Sequence, residues 1–369
     1  MLILLINLKA EFIWNMLEKY LPILVCPVTR SGLRLHRIAV KTKLFSSGEK
    51  EIISEGILFA DKDWFYPVID GVPRLLIESF LDQAEFLKAN LPDYEDRKEH
   101  LLKSYPDVIK QAIKKNIRTK KSFELEWGLF NYEEDKTWEL QGDDLLKRFL
   151  SETDETKESL KGTLIFDAGC GNGQLNQYIA RCGATVVGMD LSKSIERAFI
   201  NNKEENVFFL QGDVQYPPLQ FEKFDIVHSS GVLICTNNSE LTFSKISPCV
   251  KKNGKLSVWL YHPRKNIVHN MFNFLRNYTS KLPIKVQYYL YLCTFFPVSY
   301  VVKKIKGNKQ NAREMMIAIM HWFSPEFRWE HTHDEATGWF TKRNFNDVKV
   351  TTTDTFGFNI IGKKGSTRN

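Results

Sequence analysis

Short apolar runs that end close to an acidic residue recur between residues 162 and 230 of this 369-residue chain. The first run ends at Asp167, the second at Asp190, and the third is followed by Asp213. The stretches between these runs have the length and polarity of surface helices. Buried strands that alternate with helices predict βαβ units and a parallel sheet. The pattern therefore predicts an α/β fold with its acidic residues at one edge of the sheet.

Three glycines follow the first strand, at positions 169, 171 and 173. Glycine has no Cβ, so the backbone can turn sharply after a strand and lie directly against a ligand. A helix is predicted to begin near Gln174, and its free N–H groups would face a polar or anionic ligand edge. The dinucleotide fingerprint G-x-G-x-x-G would require glycine at position 174. The spacing thus favours another nucleoside cofactor over a nicotinamide dinucleotide, and an NAD-dependent oxidoreductase remains the enzymatic rival.

The motif that begins at Asp167, D-x-G-x-G-x-G, resembles that of the class I S-adenosylmethionine (SAM) methyltransferases that act on small molecules. The resemblance covers residues 120–364. It implies a doubly wound, seven-stranded, Rossmann-like sheet that ends in an antiparallel pair of strands, 345–352 and 356–363. It also implies SAM as cofactor and cytoplasmic methylation of an acceptor.

Together with the strand ends, the resemblance assigns a set of residues to the cofactor site. Asp190 would accept both ribose hydroxyls, Asp213 the exocyclic amine of adenine, and Val214 would offer a backbone N–H. The alternative is structural, because strand-end acids often cap the helix that follows. The cofactor-binding candidates are Asp167, Gly169, Cys170, Gly171, Gly173, Asp190, Leu191, Gly212, Asp213, Val214 and Ser230.

Methyl transfer requires a base only when the acceptor must lose a proton, so no catalytic residue is assigned. Histidines are the natural candidates near neutral pH, although each could equally be structural. The candidates are His228 after the fourth strand, His262 after the fifth, and His331 and His333 in a stretch resembling the acceptor side of such enzymes. The predicted acceptor is an oxygen or nitrogen of a small molecule, a glycan or a lipid-linked compound.

A pair of histidines common in related enzymes is replaced here by Ile234 and Cys235. This replacement keeps a second class of function open, namely a non-catalytic SAM-binding scaffold or regulatory protein.

Residues 16–77 precede the catalytic segment and contain Asp70-Gly71 between two apolar runs, which predicts a small α+β module rich in hairpins. The module resembles the zinc-ribbon family of methyltransferase-activating proteins. A structural zinc site needs about four Cys or His ligands. Only Cys26 is present, and Thr29 stands where a second cysteine is expected, so the sequence predicts a degenerate module without metal.

Residues 78–160 have a helical, charged pattern and are predicted to be a connector that also covers the cofactor. Trp127 and Phe130 resemble the aromatic segment that forms this lid in related enzymes, and the alternative is that both are core residues. Residues 161–364 are the predicted methyltransferase domain, which contains a helical insertion at 262–323.

Positive charge is concentrated around that insertion. Residues 241–313 contain fourteen Lys and Arg and no Asp or Glu, whereas the whole chain carries a net charge of +7. An uncharged aromatic run, 286–302, is too short for a convincing bilayer span. Its basic flanks instead favour contact of residues 262–310 with an anionic membrane surface, which would make the protein peripheral to the membrane. A plain helical cap is an equal alternative, and a nucleic acid ranks last because no RNA-binding motif is present.

The composition, with 43% hydrophobic and 26% charged residues, is that of an ordinary globular protein. Six cysteines without paired spacing predict reduced thiols and a cytoplasmic location. The first residues are apolar but lack the basic region and cleavage site of a signal peptide. A further hypothesis is that translation starts at Met16.

Overall fold

The computed structural model describes residues 16–61, 63–132, 134–136, 140, 142–264 and 267–365. The hypothesis about the translation start concerns residues 1–15, which lie outside the described residues. The described chain forms one four-stranded antiparallel sheet and one seven-stranded mixed sheet.

The seven-stranded sheet has the strand order β10-β11-β9-β8-β5-β6-β7. Strands β5 to β9 are parallel, and β11 is antiparallel to both of its neighbours. The strand order reverses at β5, which is where doubly wound sheets open a crevice at the carboxyl ends of their strands. The predicted α/β class, the seven strands and the terminal antiparallel pair are confirmed. The strands are β5 (Leu164–Ala168), β6 (Thr185–Asp190), β7 (Val207–Gln211), β8 (Phe224–Ser230), β9 (Val250–Tyr261), β10 (Phe345–Thr353) and β11 (Gly357–Lys364).

Strand β9 includes Lys252, Asn253 and Gly254, residues that are typical of a turn. The register against β8 shifts between the pairs Phe224–Val250 and Ile226–Lys255, so a bulge absorbs the extra residues. Asn253 has a positive φ of 61° within this bulge. These turn-type residues therefore bend the strand and do not end it.

The N-terminal sheet consists of β1 (Leu33–Phe45), β2 (Gly48–Ala60), β3 (Phe65–Ile69) and β4 (Val72–Pro73), in that order. Asp70 and Gly71 both have positive φ, as a two-residue turn between antiparallel strands requires. The long β1–β2 hairpin was not predicted, because most side chains of β1 are exposed and the strand has no apolar face that a sequence pattern would reveal.

Helices cover both faces of the large sheet. The helices before it are α1 (Met16–Tyr20), α2 (Ser79–Asp82), α3 (Ala84–Asn90), α4 (Tyr94–Ser104), α5 (Pro106–Leu129) and α6 (Asp143–Thr153). Those between parallel strands are α7 (Gln174–Arg181), α8 (Ser194–Asn201) and α9 (Ser239–Ile246). The insertion holds α10 (Ile267–Thr279), α11 (Ile284–Cys293), α12 (Phe295–Ile305) and α13 (Ala312–Phe323), and α14 (His333–Thr341) precedes β10. Short 3-10 helices lie at Leu21–Ile23, Leu233–Cys235 and Ser247–Cys249.

The N-terminal sheet packs against the exposed edge of the large sheet. The Leu75 N–H donates to the carbonyl of Gln211 in β7 at 2.8 Å, and the ring of Tyr20 stacks on that of Phe208 at 4.7 Å. Apolar side chains from both sheets belong to one buried cluster. Covering an edge strand satisfies its backbone groups and prevents edge-to-edge association.

Candidate functional site

A cavity of about 580 Å³ lies at the carboxyl ends of β5, β6, β7 and β8. Ten of the eleven predicted cofactor residues line it, namely Asp167, Gly169, Cys170, Gly171, Asp190, Leu191, Gly212, Asp213, Val214 and Ser230. Gly173 lies beside the cavity as the N-terminal cap of α7, where it packs against Ala198 and Phe209. The fold therefore brings residues that are 63 positions apart in sequence to one surface.

The glycine turn makes part of this surface from backbone alone. Gly169 has a φ of 94°, and a Cβ there would lie 2.2 Å from the side chain of Val232. Gly171 has a φ of 55°, and its missing Cβ would lie 2.8 Å from the indole of Trp127. Neither position accommodates a side chain, so the bend and its close contacts require glycine.

Asp190 ends β6 with its carboxylate held by the turn and by the following loop. The Gly171 N–H donates to Oδ2 at 3.0 Å, and Ser192 donates its N–H at 2.8 Å and its hydroxyl at 2.6 Å to Oδ1. Burial raises the pKa of Asp190, while these hydrogen bonds act in the opposite direction. A carboxylate has further acceptor capacity, so this one can still receive two neighbouring hydroxyls from a ligand.

Asp213 is held by α5, which the sequence did not suggest. Lys115 Nζ lies 2.6 Å and Asn116 Nδ2 lies 3.0 Å from Oδ2, while the Gln215 N–H donates to Oδ1 at 2.8 Å. Lys115 thus neutralises an acid that is only 6% exposed. A carboxylate with three donors keeps about one acceptor site for a ligand amine.

A network of alternating charges lines the same cavity. His228 Nδ1 lies 3.1 Å from Asp167 Oδ1, and Nε2 lies 2.8 Å from Glu152 Oε2. Arg148 Nε donates to the other oxygen of Glu152 at 2.7 Å, and Arg148 also reaches the hydroxyl of Ser230 at 3.3 Å. Two carboxylates are therefore balanced by an arginine and a histidine.

The protonation of this network argues against His228 as a base. Burial acts to lower the pKa of His228, but the hydrogen bonds to Asp167 and Glu152 outweigh it and raise the pKa to about 9. Burial likewise acts to raise the pKa of Glu152, but hydrogen bonds from His228 and Arg148 hold it below its ordinary value. His228 is thus a cation at neutral pH that anchors two acids. A protonated imidazole cannot accept a proton.

The other three histidine candidates do not line the cavity. His262 Nε2 lies 3.1 Å from the carbonyl of Thr355, and the ring of His333 packs on Phe358 at 4.2 Å. His331 is bonded through Nδ1 to Glu335 at 2.9 Å and packs on Trp339. Neither ring lines the cavity, because His331 packs on Trp339 of α14 and His333 on Phe358 of β11, and their role at the acceptor site stays a prediction.

The histidine that sequence reasoning missed is His321, near the end of α13. His321 lines the cavity, and its Nδ1 lies 3.0 Å from Oε1 of Glu126, a fully buried residue of α5. A carboxylate in this position fixes the orientation of the imidazole ring. The arrangement has the form of a histidine base with an acidic partner.

Helix α5 supplies one whole wall of the cavity. Its buried positions include four polar residues at helical spacing, namely Asn116, Thr119, Ser122 and Glu126. Polar side chains on the inward face of a helix require partners, and they commonly mark a binding surface. The exposed side of α5 is also polar, so the sequence alone does not single out this inward side.

The lid prediction concerns the C-terminal end of α5. Trp127 lines the cavity with its indole against Gly171, and Phe130 packs edge-on against Trp127 at 5.8 Å. Phe130 is buried and does not line the cavity. Trp127 therefore lies where a lid would lie, and Phe130 supports it from behind.

Aromatic rings surround the end of the cavity near His321. They are Phe123, Trp259, Tyr261, Trp322, Phe327 and Phe356. Arg328 packs 4.1 Å from the ring centres of both Tyr261 and Trp322 and so fixes their orientation. This end suits a flat apolar group with few polar substituents.

Two cysteines, Cys170 and Cys235, line the cavity. Burial raises the pKa of Cys170 far above its ordinary value and that of Cys235 to about 12, so both thiols stay neutral. In the described part of the chain, no group of three His, Cys, Asp or Glu residues is arranged to hold a metal ion. Cys26 contacts the Tyr66 hydroxyl at 3.1 Å and accepts the Thr29 N–H.

Part of this chain is similar in sequence to known methyltransferases. Residues 166–258, about a quarter of the chain, match the family model described as a methyltransferase domain. The ubiquinone biosynthesis O-methyltransferase of Coxiella burnetii is 29% identical over 105 residues, which are 28% of this chain and 45% of that protein. An uncharacterized methyltransferase of Synechocystis is 33% identical over 122 residues, 30% of this chain and 57% of that protein. The chain thus spans about half the length of these curated relatives.

Two solved structures are similar in fold to part of this chain. Magnesium protoporphyrin IX methyltransferase from Synechocystis, with bound SAH, has 16% identity and a TM-score of 0.39, covering 67% of this chain and 98% of that one. A complex of the Haloferax volcanii Trm112 methyltransferase activator with a putative methyltransferase has 13% identity and a TM-score of 0.41, covering 69% of this chain and 100% of that one. The fold assignment rests on the strand order of this chain, and strands β5 to β9 match the methyltransferase domain model in sequence.

Proposed function

We propose that the protein binds SAM in this cavity and transfers its methyl group to an oxygen or nitrogen of a small-molecule acceptor. The observation that carries the proposal is the convergence of the glycine turn, Asp190 and Asp213 on one cavity, within a segment that matches a methyltransferase domain. When bound, SAM supplies an electrophilic methyl group that an acceptor takes by in-line displacement.

The residues fit a nucleoside with a polar amino-acid tail. Asp190 would accept the ribose hydroxyls, and Asp213, held by Lys115, would accept from the base. Asp167 and Ser230 line the cavity and are held in position by hydrogen bonds to His228 and Arg148. In this role the network holds the binding surface and does not move protons.

The acceptor would occupy the aromatic end. His321, oriented by Glu126, would take the proton that a hydroxyl or N–H group loses as it is methylated. The aromatic lining favours a flat, apolar acceptor over a glycan. The O-methyltransferases among the relatives support an oxygen acceptor.

We further propose that the chain is organised as residues 16–77, a degenerate zinc-ribbon-like module; 78–160, a connector and lid; and 161–364, the catalytic domain. Packing of the first unit on β7 supports a buttressing role, and Trp127 supports the lid. The zinc-ribbon resemblance itself rests on the sequence around Cys26.

Turnover with an isotopically labelled methyl donor tests the function. The purified protein is incubated with labelled donor and fractionated small-molecule extract, and the label is followed by mass spectrometry. Transfer to an aromatic hydroxyl or amine is expected. SAM binding without transfer to any fraction would favour the scaffold alternative, for which the replaced histidine pair at Ile234 and Cys235 is the specific observation. Absence of SAM binding would reject both.

A further inference from the structure

Helix α10 has its apolar side outward and its polar side inward. The exposed fractions of Ile267, Met271, Phe274 and Tyr278, which are spaced four, three and four residues apart, lie between 51% and 88%. Each of the inward residues His269 and Arg276 is only about 6% exposed. His269 is bonded to Glu330 at 2.6 Å, and Arg276 donates to the carbonyl of Pro325 at 2.7 Å. This is the reverse of a helix that faces water.

The next two helices repeat the arrangement. In α11, Val286 and Tyr289 are exposed while Gln287 is buried and donates to backbone carbonyls. Helix α12 has no buried residue, and its exposed apolar side chains recur at helical spacing. They are Val298, Val301, Val302 and Ile305. The exposed apolar side chains of α10, α11 and α12 are called the outer face below.

The exposed apolar side chains of the protein are concentrated in these three helices and the segments that join them. Twelve of the 22 large apolar residues that are exposed in the described part of the chain lie between residues 267 and 305. Apolar surface in water is unfavourable, and soluble proteins rarely gather it in one place without a partner. The outer face is therefore a contact surface.

Charge identifies the partner class. Lys281, Lys285, Lys304 and Lys306 are exposed around the outer face, and the sequence has no acid from 241 to 313. A second copy in symmetric contact would bring lysines against lysines, which is unfavourable. Lysines beside tyrosines and aliphatic residues instead match the headgroup and upper acyl region of an anionic bilayer.

We propose that the outer face of α10, α11 and α12 docks in the plane of an anionic lipid surface. In the described part of the chain, no helix has the length and hydrophobicity needed to cross a bilayer, so contact would be interfacial. The same insertion contributes Gln310, His321 and Trp322 to the cavity. If the proposed methyl transfer holds, the acceptor is then an amphiphile taken from the bilayer, its reactive ring in the aromatic end and its apolar tail toward the lipid.

Vesicle flotation with the full chain tests the docking. Vesicles of phosphatidylcholine alone are compared with vesicles containing about one third phosphatidylglycerol, whose negatively charged headgroups attract lysines. Binding is expected for the anionic vesicles and should weaken with added salt. The double variant Lys281→Glu/Lys285→Glu should lose affinity by about tenfold or more. The matched control Lys110→Glu/Lys114→Glu makes the same charge change on exposed residues of α5 and should bind as the wild type does.

A second variant with a matched control tests the apolar side chains of the outer face. Phe274→Ser/Ile305→Ser removes two exposed outer-face residues and should reduce vesicle binding by about tenfold or more. Leu44→Ser/Ile200→Ser removes two residues of 62% and 63% exposure elsewhere and should not. Failure of the wild type to bind anionic vesicles, or equal loss in variant and control, would overturn the proposal. So would a lysine-independent dimer in light scattering that the Phe274→Ser/Ile305→Ser variant disrupts.

These results are independent of the proposed function. SAM affinity, measured by calorimetry without lipid, should be unchanged in all four variants, because none of the substituted residues lines the cavity. Vesicle binding without SAM binding would reject the enzyme and keep the docking surface, and the reverse would keep the enzyme and reject docking.

Discussion

The two walls of the cavity are built in different ways. The sheet wall consists of strand ends and tight turns, where Gly169, Gly171 and Asp190 act through backbone and a fixed carboxylate. The helical wall consists of side chains from α5 and α13, such as Trp127 and His321, which meet only in the folded protein. In the proposed function, the cofactor would therefore be bound mainly at strand ends and turns, and the acceptor by side chains that only tertiary packing brings together.

The largest expected effect concerns the sheet wall. Asp190→Ala removes a carboxylate that would accept two ribose hydroxyls, each charge-assisted bond contributing about 1.5–2 kcal/mol, so SAM affinity should fall by about 300-fold. The control is Asp225→Ala, another acid of the sheet, which accepts the Leu164 N–H away from the cavity. Calorimetry is the measurement. Equal SAM affinity in wild type and Asp190→Ala would remove Asp190 from the site.

The next largest effect concerns the charged network that lines the cavity and the free energy of unfolding of the protein. Because His228 has a pKa of about 9 in the folded state against an ordinary value of 6.5, its protonated form stabilises the fold. This contribution is complete below pH 6.5 and is lost as pH rises through 9, a change on the order of 3 kcal/mol. The free energy of unfolding, measured with denaturant from pH 6 to about 10, should fall over that window.

Substitution isolates the His228 contribution to that pH dependence. In His228→Gln the loss of stability between pH 6.5 and 9 should be largely absent. The exposed histidine variant His100→Gln should keep the wild-type pH profile. Parallel profiles of wild type and His228→Gln would contradict the assignment of a charged histidine to the network.

On the helical wall, His321→Gln should lower kcat by about 100-fold, the typical contribution of a general base, and leave the Kd for SAM unchanged. His262→Gln is the matched control, since His262 lies outside the cavity lining. An unchanged kcat would show that the acceptor needs no base from this residue.

The smallest expected effect concerns the ion pair between Lys115 of the helical wall and Asp213 of the sheet wall. Lys115→Met removes the cation that fixes Asp213, so SAM affinity should weaken by about fivefold, corresponding to about 1 kcal/mol. The neighbouring exposed Lys114 provides the control Lys114→Met. Titration of both variants with SAM decides the matter. Tighter SAM binding by Lys115→Met would mean that Lys115 competes with the ligand for Asp213.

The sheet and its glycine turn could be predicted because each strand is a short apolar run with its functional residue at the end. Asp167, Asp190 and Asp213 needed no knowledge of distant residues. Lys115, Glu126 and His321 could not be located in this way, because their partners are 98 to 195 positions away. The sequence shows that His331 and His333 lie in a polar stretch, but it does not show that their rings pack on Trp339 and Phe358, outside the cavity lining.

The outer face was partly visible in the sequence. The absence of acids from 241 to 313 and the aromatic run at 286–302 indicated an anionic partner or a helical cap. Composition could not distinguish these alternatives, because it does not show which side of a helix faces the protein. The burial of Arg276 and Gln287 beside exposed Phe274 and Tyr289 supplies that information.

The central claim is that the glycine turn and its two flanking acids hold SAM. Titration of the purified wild-type protein with SAM in a calorimeter, with a nicotinamide dinucleotide as the comparison ligand, tests it most directly. The account predicts saturable binding of one SAM per chain and no heat from the nicotinamide dinucleotide. No heat from SAM, or saturable binding of the nicotinamide dinucleotide, would contradict it.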